Sequence, residues 1–207
     1  MTNPDVTLAA SIRRRKRLPH WEVSGRIYFV TFRLADSLPA AVLRRIVSER
    51  RQALEKARAS SLPHSLAETK RLKRLFSKRI ELYLDTGAGR CYLAEPSVAE
   101  IVVAALRHFD GIRYELHAWC VMPNHVHIVF RPLGENSLAA IIHSWKSFSA
   151  QRANRELGRT GDFWQREYYD HLLRNAGQLA RAIRYVAQNP QRAGLTNWKW
   201  AEVYSLD

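Results

Sequence analysis

The sequence predicts an α+β fold built on an antiparallel, ferredoxin-like sheet, and three observations carry that prediction. Short runs of aromatic and β-branched residues at 26–35, 112–121 and 125–132 have the composition and length of strands. Apolar residues at helical spacing lie between the first run and the second, and again after the third. A Met-Pro-Asn turn (122–124) joins the second and third runs directly, which makes them a hairpin. The expected order is βαββαβ, with helices packed on one sheet face, an inserted helix, and a C-terminal helix.

The elements follow in chain order. Residues 1–20 begin without a pattern and end in the basic run "RRRKRLPHW", so they read as a basic N-terminal tail ahead of a single domain, 21–207. "RIYFVTFRLA" (26–35) is the first strand. A helix from Ala40 to Arg58 places Val42, Leu43, Ile46, Val47 and Leu54 at helical spacing, and "ASSLPHS" breaks it. A second helix at 68–85 has Leu72, Leu75, Phe76 and Ile80 on one face and lysines and arginines opposite; it sits in a helical insertion over about 60–95. "TGAGR" (86–90) is a glycine turn whose spacing fits no phosphate-binding loop.

"EPSVAEIVVAALRHFDG" (95–111) is a helix started by Pro96 and Ser97 and stopped by Gly111. After the hairpin, a helix over 137–157 turns Leu138, Ile141, Ile142, Trp145 and Phe148 inward. "FWQREYYDHLLR" (163–174) reads as the last strand, and 178–190 as a final helix closed by Pro190.

The chain has 207 residues, 33 Lys and Arg against 19 Asp and Glu, and a formal net charge of +14. Such a surplus attracts polyanions, and nucleic acid is favoured over an anionic membrane surface because most of the cations are arginine. No helix carries an aromatic insertion face, and no apolar run approaches the ~18 residues of a membrane span. Two cysteines, Cys91 and Cys120, allow neither a disulfide framework nor a CxxC zinc site, which suits a reducing cytoplasm. Beside the tail arginines Arg13, Arg14, Arg15 and Arg17, Trp21 can stack on an unpaired base. Arg33, Lys146, Arg152 and His171 are further candidates for DNA contact.

The chemical signal is "NHVHIVF" (124–130). Strand alternation puts His125, His127 and Val129 on one face and Val126, Ile128 and Phe130 on the other. Two neutral imidazoles side by side can converge on a divalent metal, and the bland alternative is a pair of hydrogen-bonded core histidines. Zinc hydrolases need a third ligand and an acidic base. A histidine-triad hydrolase needs a third alternating histidine, where this chain has Val129. A nuclease holding Mg²⁺ or Mn²⁺ with two histidines and an amide or carboxylate needs a nearby tyrosine nucleophile. Tyr185 and Asn189, one turn apart on the final helix, supply that pair. Tyr168 and Tyr169 are rival nucleophiles, and Gln188 is a rival ligand about 100° around the helix.

Together, "WCVMPNHVHIVF", "FWQREYYDHLLR" and "YVAQNPQRAGL" resemble the REP-associated tyrosine transposases, within the single-tyrosine group that carries a histidine–hydrophobic–histidine motif. The resemblance spans about residues 20–200. It implies that His125, His127 and Asn189 hold Mg²⁺ or Mn²⁺, with Asn189 standing where other branches carry Gln. It also implies that Tyr185 cleaves and rejoins single-stranded DNA at short hairpins through a 5′-phosphotyrosine. The implied enzyme works as a monomer or homodimer, with no membrane or small-molecule partner. The alternative is a domesticated, non-catalytic binder of single-stranded or hairpin nucleic acid.

Overall fold

The computed structural model describes residues 10–15, 18–23, 25–59, 79–80 and 82–205. Its centre is a five-stranded antiparallel sheet formed by β3 (Ile27–Arg33), β4 (Tyr114–Val121), β5 (His125–Pro132), β6 (Tyr169–Leu173) and β7 (Ala201–Val203), in the order β6-β3-β5-β4-β7. Without β7, the strands foreseen from sequence stand in the spatial order 4-1-3-2, so β3 and β5 occupy the interior. The histidine strand is therefore paired on both sides.

The sheet is apolar on both faces. On one face, Tyr28, Val30 and Phe32 of β3 and Val126, Ile128 and Phe130 of β5 pack against helices α2 (Pro96–Arg107) and α3 (Leu138–Glu156). A register shift between Leu116 and Ala118 in β4 moves the alternation by one, so Trp119 and Val121 continue this face. Tyr114 ties the layers together: its hydroxyl donates to Leu106 O at 2.8 Å and accepts from Trp145 Nε1 at 2.9 Å.

Phe29, Ala118, Cys120, Val129 and Leu173 point to the opposite face and are covered by Leu179, Ala182, Ile183 and Val186 of α4 (Ala176–Arg192). The helix foreseen at the C-terminus thus lies over the histidine face. Asn175 starts it, its side chain accepting from Gln178 N–H at 2.9 Å. Pro190 does not close it. The helix runs on to Arg192, because Leu195 N–H bonds to Pro190 O and Gly194 N–H to Gln191 O, with Gly194 at φ 74°. That is a Schellman ending, whose left-handed position favours glycine.

Several elements depart from expectation. Residues within the expected basic tail form two antiparallel strands, β1 (Ala10–Arg15) and β2 (Leu18–Val23), so the boundary at residue 20 falls inside β2. Helix α1 (Ala40–Ala59) matches the expected span. Most of the second helix lies outside the described residues, of which 79–80 and 82–85 are helical. The expected last strand shortens to β6, because 163–168 leaves the ladder. One isolated bridge, Leu34–Trp164, still ties it to the β3 end, with Gln165 N–H donating to Arg33 O, and the Lys146 ammonium donates to Gln165 O and Arg166 O. Phe148 turns outward and is 45% exposed, since the buried ridge of α3 runs through Trp145, Ser149 and Ala153. Gly89 in "TGAGR" has a structural use: a Cβ there would stand 2.9 Å from the backbone oxygen of Asp36.

Candidate metal and tyrosine site

In the β3–β5 register, Thr31 stands opposite His127 and Arg33 opposite His125. Phe29, Thr31 and Arg33 therefore share a face with the two histidines. Both imidazoles are buried, His125 at 1% and His127 at 0% exposure. Their Nε2 atoms face each other at 3.0 Å.

Hydrogen bonding settles the protonation of His125. Asn124 donates both amide hydrogens, to Leu84 O at 3.0 Å and Ala88 O at 2.9 Å. Its oxygen is thereby turned to His125 Nδ1 at 2.7 Å, which must donate. His125 Nε2 is left as a bare lone pair. His127 Nδ1 lies 2.7 Å from Thr31 Oγ1, a hydroxyl able to donate or accept. Two tautomers of His127 follow. With no cation, its Nε2–H donates to His125 and Nδ1 accepts from Thr31. With a cation, the proton sits on Nδ1 and two lone pairs converge.

Burial, reinforced by the nearby Arg33 guanidinium, pushes His125 down to about 3. Burial, with His125 next to it, holds His127 well below the usual imidazole range. Both are neutral at pH 7, as metal ligands must be. The sign of the linkage follows. An unfolded histidine takes up its proton near about 6.5, whereas folded His125 waits until about 3. Between those values the unfolded chain binds more protons, so stability falls as pH drops. We expect chemical denaturation of the metal-free protein to show a loss of about 1.4 kcal/mol per pH unit for each buried histidine below pH ~6. A stability unchanged between pH 7 and 5 would contradict the neutral assignment.

Helix α4 brings the remaining groups. The Tyr185 ring packs edge-on against His127 at 5.2 Å and Phe29 at 5.8 Å between centroids. Asn189 is 2% exposed, and its Oδ1 is buried with no hydrogen-bond partner among the described residues. Gln188 is exposed. Tyr168 packs into the core on the opposite sheet face, while Tyr169 lies on the site's face, 6.4 Å from the Phe29 ring. Arg192 carries its guanidinium 5.7 Å from the Tyr185 ring.

The donor set fits a small divalent cation. Octahedral ligands at about 2.1 Å and right angles lie roughly 3.0 Å apart, the spacing of the two Nε2 atoms. Among the described residues no three His, Cys, Asp or Glu stand together; the unpartnered Asn189 oxygen on α4 is a donor of another kind.

Arg33 Nε is likewise buried without a partner, and burial lowers the guanidinium's pKa. The residue as a whole is half-buried, and an anion reaching it would supply the partner that its Nε lacks among the described residues. Lys146 is engaged by the 165–166 backbone, Arg152 lies over Phe148 at 5.5 Å, and His171 is exposed on β6. The side chains of Arg13, Arg14, Arg15, Arg17 and Trp21 lie outside the described residues.

Sequence reasoning passed over Asn124, read only as part of a turn, and Thr31 and Phe29, read as strand filler. The clue for Asn124 was its place directly before the histidine pair. It also passed over Asp85, whose Oδ1 is buried and unpartnered among the described residues and whose carboxyl is pushed up by burial. Asp85 lines a cavity of about 210 Å³ against His125. Asn124→Ala is expected to cost about 1–3 kcal/mol of stability by orphaning buried groups. It should also weaken Mn²⁺ binding about 10–100-fold by freeing the His125 ring. Calorimetric titration checks the second effect, and unchanged affinity would refute the orienting role.

Residues 95–189, which span the histidine pair, Tyr185 and Asn189, match the family described as "Transposase IS200 like". More particularly, the chain resembles the REP-associated tyrosine transposases. It is 30% identical over 116 residues to one from Haemophilus influenzae, covering 45% of this chain and 66% of that protein. It is 24% identical over 82 residues to one from Escherichia coli K12, covering 39% and 47%. The chain thus spans under two thirds of each relative's length. A solved structure of a REP-associated tyrosine transposase bound to a REP hairpin aligns with 92% of this chain and 81% of its own, at 16% identity and a TM-score of 0.46. Among the described residues no helix is long and apolar enough to cross a membrane.

Proposed function

We propose that the protein is a tyrosine transposase that cleaves and rejoins single-stranded DNA at short hairpin elements through a 5′-phosphotyrosine. One observation carries the reading: the Tyr185 ring on α4 packs 5.2 Å from His127 of the buried His125–His127 pair, and Asn189, also buried, follows Tyr185 by one turn on the same helix. The match of 95–189 to a transposase family and the charge of +14 support it.

His125 Nε2, His127 Nε2 and Asn189 Oδ1 would hold Mg²⁺ or Mn²⁺. Such a cation supplies charge stabilisation to a non-bridging phosphate oxygen. The chain's own residues do the rest. Asn124 and Thr31 fix the two imidazoles. Phe29 and His127 hold the Tyr185 ring. The phenol oxygen attacks phosphorus, the P–O3′ bond breaks, the phenolic proton passes to solvent, and the departing 3′-oxygen takes one up. The phosphate stays on Tyr185 through its 5′ side. A 3′-hydroxyl returning along the same line reverses the step, so DNA is rejoined without ATP. Arg33, half-buried opposite His125 and with its Nε unpartnered among the described residues, suits the charge of the reacting phosphate.

The test is a denaturing gel of the full chain incubated with end-labelled hairpin-bearing single strands and Mn²⁺. A protein–DNA adduct that EDTA abolishes is the expected result. Hairpin binding with no adduct in any divalent metal would instead mark a binder that does not cleave.

A further inference from the structure

A cavity of about 370 Å³ opens between β6 and α4 on the face that holds the histidines. Phe29, Leu173 and Ala182 form its apolar lining, and His171, Gln178 and Arg181 its polar one. Its volume lies within the range of about 300–1,000 Å³ usual for small-ligand sites. Phe29 is a shared wall: its ring lies 5.5 Å from His127 and 5.8 Å from Tyr185. Whatever fills the cavity is therefore one aromatic ring away from the proposed reacting phosphate.

The polar side chains narrow the occupant. The Gln178 oxygen is taken up by Arg174 N–H at 3.0 Å, so the amide offers its two hydrogens. Arg181 is exposed and contributes a guanidinium, its Nη1 3.5 Å from where Gly177 would carry a Cβ. Burial on one side and Arg174 lower the His171 pKa. Two donor groups over an apolar floor suit a flat, acceptor-bearing ring. The charge near the cavity is net positive: Arg181 lines it and Arg174 acts on the lining His171, against the single carboxylate of Asp170.

We propose that this cavity receives one unpaired nucleobase of the bound single strand, next to the phosphate that Tyr185 attacks. The proposal rests on the function given above, since the strand must thread past the histidine site for its neighbouring base to reach Phe29. The base packs against Phe29 and Leu173, and its edge accepts from Gln178 and Arg181. Contact with one aromatic-walled pocket is worth on the order of tenfold in affinity.

The experiment measures fluorescence anisotropy of the full chain with a 12-nucleotide thymidine strand and with an abasic strand of the same length. The wild type is expected to prefer the base-bearing strand by about tenfold or more. Ala182→Phe, which plugs the cavity, and the surface double variant Gln178→Ala/Arg181→Ala should each shrink that preference at least several-fold. Affinity for the abasic strand should fall little with Ala182→Phe. In parallel, a strand carrying 5-iodouracil should crosslink to a peptide containing Phe29 or His171. Full preference in both variants, or crosslinks confined to other peptides, overturns the proposal. The Tyr185 adduct assay reads the two ideas apart. An adduct with preference untouched by the variants removes only the base pocket. Preference lost in the variants with no adduct removes the cleavage reading and leaves a base-binding cavity.

Discussion

Replacing His127 with Ala is expected to abolish high-affinity Mn²⁺ binding by the DNA-free protein. The variant should also lose metal-dependent cleavage. Both effects follow from geometry already present before any metal arrives. The two Nε2 atoms stand 3.0 Å apart, His125 is locked as a donor through Nδ1, and the pair is buried. Removing an outer-shell partner costs roughly 10–100-fold in affinity, and losing one of two imidazole donors should exceed that. Calorimetry or the electron paramagnetic resonance of free Mn²⁺ measures it directly. His171→Ala, an exposed histidine on β6, is the control and should leave Mn²⁺ affinity unchanged. If His127→Ala binds Mn²⁺ as the wild type does, the pair is core packing and the metal reading fails.

Tyr185→Phe should eliminate the covalent product while leaving DNA and Mn²⁺ binding close to wild type. The substitution removes one oxygen and keeps the ring contacts with His127, Phe29 and Arg192. Loss of a nucleophile commonly lowers turnover by a factor on the order of 10⁴–10⁶. Tyr169→Phe should have a small effect, although that ring shares the site's face. Adduct formation retained in Tyr185→Phe and lost in Tyr169→Phe would move the nucleophile to β6.

The strand that carries the site was legible because its signals were local. His125–Pro132 emerged with the expected bounds, and the alternation of Val126, Ile128 and Phe130 against His125, His127 and Val129 is the one observed. The Tyr185–Asn189 spacing was legible for the same reason: one turn of helix fixes both on one side. The meeting of Tyr185 with His127 was not, because it depends on α4 crossing the sheet, a tertiary event that no short window encodes. Thr31 and Arg33 reach the pair only through the β3–β5 register. Strand β7 has three residues and no period to read, and it exists because the β4 edge offers it a partner. Residues 163–168 carried a strand-like composition, yet they meet the β3 end only through one isolated bridge, Leu34–Trp164, and Lys146 takes up the carbonyls of Gln165 and Arg166. The β1–β2 pair was hidden by its arginines, which read as a solvated run.

If β5 and α4 together make one site, that site forms a phosphotyrosine on Tyr185. The most direct measurement isolates the adduct formed with Mn²⁺ and a hairpin-bearing single strand, digests protein and DNA, and maps the modified peptide by tandem mass spectrometry. The expected product is a single nucleotide joined through its 5′-phosphate to Tyr185, absent when EDTA is present. A nucleotide found on Tyr169 or any other residue, or an adduct indifferent to EDTA, would contradict it.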